Sequence, residues 1–340
     1  RFLTGFSMIG ILIIVESWLN DRATNKTRGK VLSLYMFFTF FAFTIGNLLL
    51  NISSPNSYEP FILISLLFSV ALIPILLTKR KPPTFKKTSS IRIKELLKIS
   101  PFGSFSMFCT GFIFAAMFAM LSVYAVTMNL TVFEISILLV GTTLAGAIFQ
   151  WPIGYLSDKY DRRVIVIGCC ISSFIFGVLS IMSSGIYFES LVAEEMVRFN
   201  YFSSDGNMNK TNLFIFIILL SGMTLPMFAL NLALVNDYIP KEKFVAAGAG
   251  LNIIFGLGAM AGPIICSVLM SLLGPNGFFI HLFIFLLAII FFGIYRVNKR
   301  EYEDNPESTF TPLPREITPL GIELDPDTGV DLSNTLNDKK

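Results

Sequence analysis

The sequence contains little charge and almost no histidine. Only 14% of its 340 residues are charged and one is a histidine, whereas 54% are hydrophobic and the mean hydropathy is +0.69. Because soluble domains carry about 25% charged residues, this composition excludes an ordinary soluble domain and predicts a membrane protein with several spans. The net charge of +3 is small and does not indicate a nucleic-acid partner.

Cysteine is scarce too, and its placement argues against metal or redox chemistry. The cysteines all lie inside apolar runs, and none has a histidine at metal-ligand spacing; they are Cys109, Cys169, Cys170 and Cys266. We interpret them as packing residues and His281 as a packing or interfacial residue, and we predict no metal and no cofactor. A membrane enzyme would need clustered His, Asp, Glu or Ser groups, so we do not expect an enzyme.

Nine long apolar runs divide the chain. A helix needs about 20 apolar residues to cross a bilayer, and backbone groups in lipid must bond within their own segment, which favours helices over strands. We therefore predict an all-α integral membrane protein with nine transmembrane helices. The runs are 2–19, 31–50, 60–77, 102–128, 135–156, 164–186, 213–235, 244–273 and 278–295.

Lysine and arginine are distributed unequally between the two sides of the predicted membrane. Alternate connections on one side hold twenty of them, whereas the other side holds Arg198 and Lys210, with Arg1 at the start of the chain. Positive residues are retained on the cytoplasmic side. This pattern predicts that the basic connections and the C-terminus are cytoplasmic, in the cell inner membrane.

The segment 154–163 concentrates five charges between two uncharged runs, so it reads as a tight loop at the membrane surface. Gly154 would permit close helix approach, and Asp161 would cap the following helix. Its pattern, Gly-x-Leu-small-Asp-basic-x-x-Arg-Arg, resembles the signature loop of the major facilitator superfamily, except that the family usually has glycine at the position of Asp161. The resemblance implies that Asp158 and Arg162 form a charge cluster with Asp237.

Further motifs resemble the YcaD-like branch of that superfamily, a group of bacterial transporters. They are Arg1 to Gly5, Glu16-Ser17, Arg28-Gly29, Tyr35-Met36, Gly46 to Leu49, and Gln150 to Asp158. The family has two halves of six helices, so the resemblance implies that the chain starts at the fourth helix. We expect residues 1–77 to be part of the first half, 78–100 a basic cytoplasmic linker, 101–300 the second half and 301–340 a disordered acidic cytoplasmic tail.

Two sets of residues are candidates for function. The predicted gate comprises Gly154, Asp158, Lys159, Arg162, Arg163, Asp237 and Glu16. For Glu16 a gating role, an interfacial role without function and a proton site all remain open. Candidates for a substrate or proton path are Arg1, Asn47, Gln150, Asn231 and Asn252. Each polar residue of this second set could equally bond another helix.

Two extramembrane segments allow alternative readings. Residues 91–98 could form a short amphipathic helix at the interface or remain a solvated linker. Residues 301–340 carry ten acidic residues and five prolines without apolar periodicity, which favours disorder. Within this tail, residues 318–323 could be a short docking motif, although an unstructured tail is the favoured reading.

The resemblance implies a secondary transporter that works by alternating access. The scarcity of buried charge favours a neutral or amphipathic small molecule as substrate. The expected partners are that molecule, membrane lipids and, as an open alternative, protons, with the protein acting as a monomer. A different class of function is a membrane sensor that does not transport and that signals through its tail.

Overall fold

The computed structural model describes residues 2–22, 27–52, 57–77, 92–185, 209–240, 243–299, 310–313, 317–318 and 322. Within these ranges the chain forms helices and no strand. The helices are α1 (Phe2–Arg22), α2 (Arg28–Leu49), α3 (Glu59–Leu76), α4 (Ile93–Ile99), α5 (Pro101–Ala119), α6 (Leu121–Thr127), α7 (Val132–Ser157), α8 (Arg162–Ser184), α9 (Lys210–Thr224), α10 (Met227–Asn236), α11 (Phe244–Leu273) and α12 (Gly277–Val297).

The membrane character predicted from composition is confirmed by these helices. Among the described residues, seven helical segments are long and apolar enough to cross a bilayer, beginning with 30–49 and ending with 277–297. Two shorter apolar helices, Leu3–Leu19 and Glu59–Pro74, coincide with the first and third predicted runs. The protein is an all-α multi-pass membrane protein.

Two predicted runs are each divided into a pair of helices. The run 102–128 breaks at Met120, where α5 ends and α6 begins, and the run 213–235 breaks before Pro226. Proline lacks the N–H needed to continue a helix, which explains the second break. Helices α9 and α10 nevertheless form one continuous apolar span, 210–236.

The second half is held together by close contact between α5 and α11. A methyl group added at Gly111 would lie 2.2 Å from the Phe255 carbonyl oxygen, and one added at Gly258 would lie 2.3 Å from the Phe108 carbonyl oxygen. Gly262 faces the Phe112 carbonyl oxygen in the same way. Small residues on both helices therefore allow the two backbones to touch.

His281 and the cysteines lie inside the second half. The His281 side chain is fully buried, and its Nε2 atom lies 3.2 Å from the Phe112 carbonyl oxygen. All four cysteines are buried and unpaired. Their interpretation as packing residues agrees with this placement, and no cluster of metal-binding residues occurs among the described residues.

Part of the linker and part of the tail pack against the helices. Residues 78–91 lie outside the described residues, but α4 follows them and buries Leu96 against Gly250. This outcome fits the helical reading of residues 91–98. In the tail, Phe310, Leu313, Ile317, Thr318 and Ile322 also pack on the bundle, although composition predicts a disordered tail.

We define the loop end of the bundle as the end at which α7 passes into α8. Alternation of the helices places the end of α1, the start of α2, the end of α10, the start of α11 and the end of α12 at the same level. The described tail residues pack there too, since Phe310 contacts Gly154 and Asp158. At the opposite end, Lys210 pairs with Glu134 at 2.8 Å.

Candidate functional site

The loop between α7 and α8 is centred on Arg162, the first residue of α8. Its Nη2 atom lies 3.0 Å from Asp158 Oδ1, and its Nη1 atom donates to Asp237 Oδ1 and to the Ala233 carbonyl oxygen, the latter at 3.1 Å. Asp237 and Ala233 belong to the end of α10. The structure thus brings together Asp158, Arg162 and Asp237, the three residues that the family resemblance implied.

Two of the three side chains in this charge cluster are buried from solvent, unlike those of an exposed loop. The side chains of Arg162 and Asp237 are 3% and 1% exposed, whereas that of Asp158 is 37% exposed. A cation at the carboxyl end of α10 also complements the helix dipole. Removing one partner of a buried ion pair costs about 3–5 kcal/mol because it leaves an uncompensated charge. Arg162 therefore locks the loop to α10 within the second half.

Asp161 and Arg163 form a second, local arrangement at the start of α8. The Asp161 carboxylate accepts a hydrogen bond from the Arg163 backbone N–H at 2.8 Å and pairs with the Arg163 guanidinium at 2.7 Å. Asp161 has φ −50°, which any residue can adopt. The turn therefore needs no glycine here, and aspartate adds the helix cap that the sequence predicted.

Gly154 and Lys159 complete the predicted gate. A methyl group added at Gly154 would lie 2.3 Å from Cδ1 of Phe310, so this glycine makes room for a tail side chain. The close approach expected between helices is, at this position, made by the tail. The Lys159 ammonium lies over the Tyr155 ring, 4.3 Å from its centroid, on the surface of the loop.

Glu16 is the buried carboxylate of the first half. It is fully buried on α1 and accepts a hydrogen bond from the Tyr35 hydroxyl of α2 at 2.8 Å. It also accepts hydrogen bonds from Thr318 of the tail, through the backbone N–H at 2.9 Å and through the hydroxyl. The side chains of Arg22 and Arg28, on the same two helices, lie outside the described residues.

Two amides predicted for a substrate path bind the tail. Asn252 of α11 donates to the Ile317 carbonyl oxygen at 3.0 Å, and Gln150 of α7 donates to the Leu313 carbonyl oxygen at 3.5 Å. With Glu16 and with Asp158, which accepts from the Phe310 N–H at 2.8 Å, these side chains supply polar contacts to the tail from three helices, α1, α7 and α11.

The other path candidates are not brought together with these residues. Asn231 is buried in the second half, where it donates to the Thr110 hydroxyl at 3.0 Å. Asn47 lies half-buried on α2 near its far end, and Arg1 lies outside the described residues. Asn231 therefore acts between helices, which was one of the two alternatives.

A cavity of about 680 Å³ opens between α2 and α7 beside the tail. Pockets of about 300–1,000 Å³ with mostly apolar walls and few polar groups are typical of small-molecule sites. Its wall is largely aliphatic and aromatic and includes the amide of Gln150 and the hydroxyl of Thr44. The lining residues are Leu32, Ser33, Met36, Phe37, Phe40, Phe41, Thr44, Leu144, Ala147, Gln150, Trp151, Phe310, Thr311 and Pro312.

The tail side chains are the part of the site that sequence reasoning missed. Leu313, Ile317 and Ile322 are buried in one cluster with residues of α2, α4, α10 and α11. Leu313 and Ile317 have a helical spacing, but Pro314 and Pro319 interrupt the segment, so the composition of the tail favoured disorder. The sequence feature that points to these tail residues is the segment 318–323, a candidate docking motif.

Comparison with known proteins identifies the fold as a transporter fold. The sequence profile of the Major Facilitator Superfamily matches the chain twice, over residues 1–204 and 129–326. The chain belongs to this superfamily. Its members are membrane transporters, and the resemblance carried by the loop 154–163 is thereby confirmed.

Individual relatives in the superfamily are similar over most of the chain. The uncharacterized MFS-type transporter YcaD of Escherichia fergusonii is 23% identical over 296 residues, which cover 85% of this chain and 70% of the relative. An uncharacterized MFS-type transporter of Yersinia pestis (strain Pestoides F) is 24% identical over the same lengths. No solved structure is significantly similar to the chain.

Proposed function

We propose that this superfamily member is a secondary transporter that moves a small neutral or amphipathic molecule across the cell membrane by alternating access. The single observation that carries the proposal is the cavity between α2 and α7, which joins helices of the two halves in a chain that belongs to a transporter family. Alternating access in such folds uses a site between two halves that rock against each other.

The lining of the cavity supports the proposed class of substrate. Three phenylalanines of α2 and Trp151 of α7 offer aromatic surface, and Gln150 and Thr44 offer hydrogen bonds. Among the described lining residues there is no charged side chain. An uncharged molecule with apolar surface and one or two polar groups fits this lining better than an ion, since an ion would lose its hydration without a counter-charge.

The proposed orientation places the loop end in the cytoplasm, with the inner membrane of the cell as the location. It rests on the excess of lysine and arginine in the connections at that end. We expect the protein to act as a monomer surrounded by lipid. The comparisons give the sensor alternative no support.

The experiment is uptake into proteoliposomes that contain the protein expressed from its full-length gene. A panel of neutral and amphipathic compounds is offered with and without an imposed proton gradient. We expect Phe40→Ala, in the cavity wall, to reduce uptake, and Phe38→Ala, an exposed phenylalanine of α2 outside that wall, to leave it unchanged. Equal uptake by both variants would reject the cavity as the site, and dependence on the gradient would show proton coupling.

A further inference from the structure

The packed tail residues occupy a groove at the loop end that is built from both halves of the molecule. The groove is formed by α1 and α2 of the first half and by α7 and α11 of the second. We propose that this groove is a peptide-binding site whose occupant is the chain's own tail, bound through its described residues 310–313, 317–318 and 322, and that the bound tail segment closes the loop end. This inference goes beyond the transport function and can be tested without a substrate.

Polar recognition in the groove is directed mainly at the backbone of the segment. Asp158 accepts the Phe310 N–H, Gln150 donates to the Leu313 carbonyl oxygen and Asn252 donates to the Ile317 carbonyl oxygen. Glu16 accepts the Thr318 N–H and its hydroxyl. Backbone groups removed from water need such partners, so these side chains satisfy the described backbone groups of the segment in the way that a receptor site does.

Side-chain recognition depends on two glycines and an apolar wall. A methyl group at Gly154 would lie 2.3 Å from Phe310, and one at Gly248 would lie 2.4 Å from Cδ1 of Ile322. The helix surfaces therefore have recesses where the segment has large side chains. Between these two points, Leu313 and Ile317 are buried among apolar residues of the helices.

The bound segment bridges elements that must separate for the loop end to open. Thr318 is bonded to α1, whereas Phe310 and Ile317 are bonded to α7 and α11. The segment also forms part of the wall of the cavity through Phe310, Thr311 and Pro312. Cargo entering or leaving at this end would have to pass it, so the segment must be displaced before the two halves can part there.

The first test measures docking with a cysteine reporter in the tail. All four native cysteines are buried, so a new cysteine at Ile317, itself buried, can be followed with a water-soluble maleimide. Adding Ile322→Asp, which places a charge in the apolar groove, should speed labelling by about ten-fold or more because the undocked population rises. Asn334→Asp adds the same charge to the tail beyond the segment 310–322 and should leave the rate unchanged.

Every substitution in this test lies in the tail, so we expect the helices to fold in each variant. Slow labelling of Ile317→Cys that becomes fast with Ile322→Asp but not with Asn334→Asp supports docking. Labelling that is equally fast in all three proteins would overturn the proposal.

A second reporter tests closure. Met36→Cys lies in the cavity wall at a buried position of α2. We expect it to be labelled several-fold faster when Ile322→Asp is also present, and a synthetic peptide of residues 310–322 should slow it again. The same peptide with Thr318→Val should be weaker, because it lacks the hydroxyl bonded to Glu16. If the labelling rate of Met36→Cys were the same with and without Ile322→Asp, the proposed closure would be overturned, even if the first test had shown that the tail docks.

Discussion

Two buried carboxylate sites lie at the loop end, and the described partners of the two carboxylates are of different kinds. Asp237 faces a buried arginine, and all members of its cluster come from the segment between α7 and the end of α10. Glu16 accepts from neutral hydroxyl and amide donors, and two of these come from a residue more than 300 positions away in the tail. The described contacts of the Asp237 site lie within one half, whereas those of the Glu16 site include Thr318 of the tail, which we propose can be released.

From this difference we infer that the Asp237 site is fixed and that the contact between Glu16 and the tail is releasable. Breaking a buried ion pair costs about 3–5 kcal/mol, whereas a hydrogen bond to a charged group contributes about 1.5–3 kcal/mol. Asp158 connects the two sites, since it accepts from Arg162 and from the Phe310 N–H. We infer that the second half keeps its loop rigid while the tail engages and disengages.

The largest expected effect comes from breaking the fixed site. Arg162→Ala would leave Asp237 buried without its counter-charge and should lower the free energy of unfolding by about 3–5 kcal/mol. Thermal unfolding in detergent micelles measures the loss. Lys159→Ala, an exposed cation of the same loop, should change stability by about 0.5 kcal/mol or less. Similar unfolding curves for the two variants would contradict the distinction between them.

The releasable site should respond less strongly to the loss of one donor. Tyr35→Phe removes the hydroxyl that bonds Glu16 and should cost about 1.5–3 kcal/mol in the same assay. Tyr155→Phe, at an exposed tyrosine of α7, is the matched control and should have little effect. If Tyr35→Phe proved as damaging as Arg162→Ala, the two sites would not differ as proposed.

Filling the recess at Gly154 tests the tail without touching either carboxylate. Gly154→Ala places a methyl group against the Phe310 ring, and such overpacking costs about 1–3 kcal/mol of contact energy unless the ring moves away. We expect the ring to move, and Ile317→Cys to be labelled several-fold faster as a result. Gly168→Ala, in α8 with open space around it, should leave labelling unchanged. Identical rates would show that Phe310 is not anchored there.

The smallest effect is expected at the opposite end of the bundle. Lys210 and Glu134 form an ion pair whose side chains are 47% and 26% exposed. Because water and salt screen such pairs, Lys210→Ala should leave the unfolding transition unchanged at moderate ionic strength. A clear shift would mean that burial does not explain the contrast between the charge pairs of this protein.

The helices could be predicted from the sequence because membrane spans depend on local composition. Long uncharged runs indicated where the helices lie. The break before Pro226 was also encoded locally. The charge cluster required the family resemblance, since Asp237 lies 75 positions from Arg162.

The docked tail could not be predicted in the same way. Its apolar residues are separated by prolines and charges, and each is stabilised only by a groove that exists after the helices have packed. Asn252 and Gln150 were found as polar residues in spans, but the partners they bind are backbone carbonyls, which carry no sequence signal. The same holds for the contact between Glu16 and Thr318, because the two residues are brought together only after the helices have packed.

The attachment of the tail to α12 makes its docking an intramolecular event. Helix α12 ends at the loop end, and Phe310 follows Val297 after a short connection. Tethering over such a length gives effective concentrations of the order of millimolar, so a groove of weak intrinsic affinity would still be occupied most of the time. Occupancy would also be independent of how much protein the membrane contains. A soluble competitor would have to exceed that local concentration or bind the tail itself.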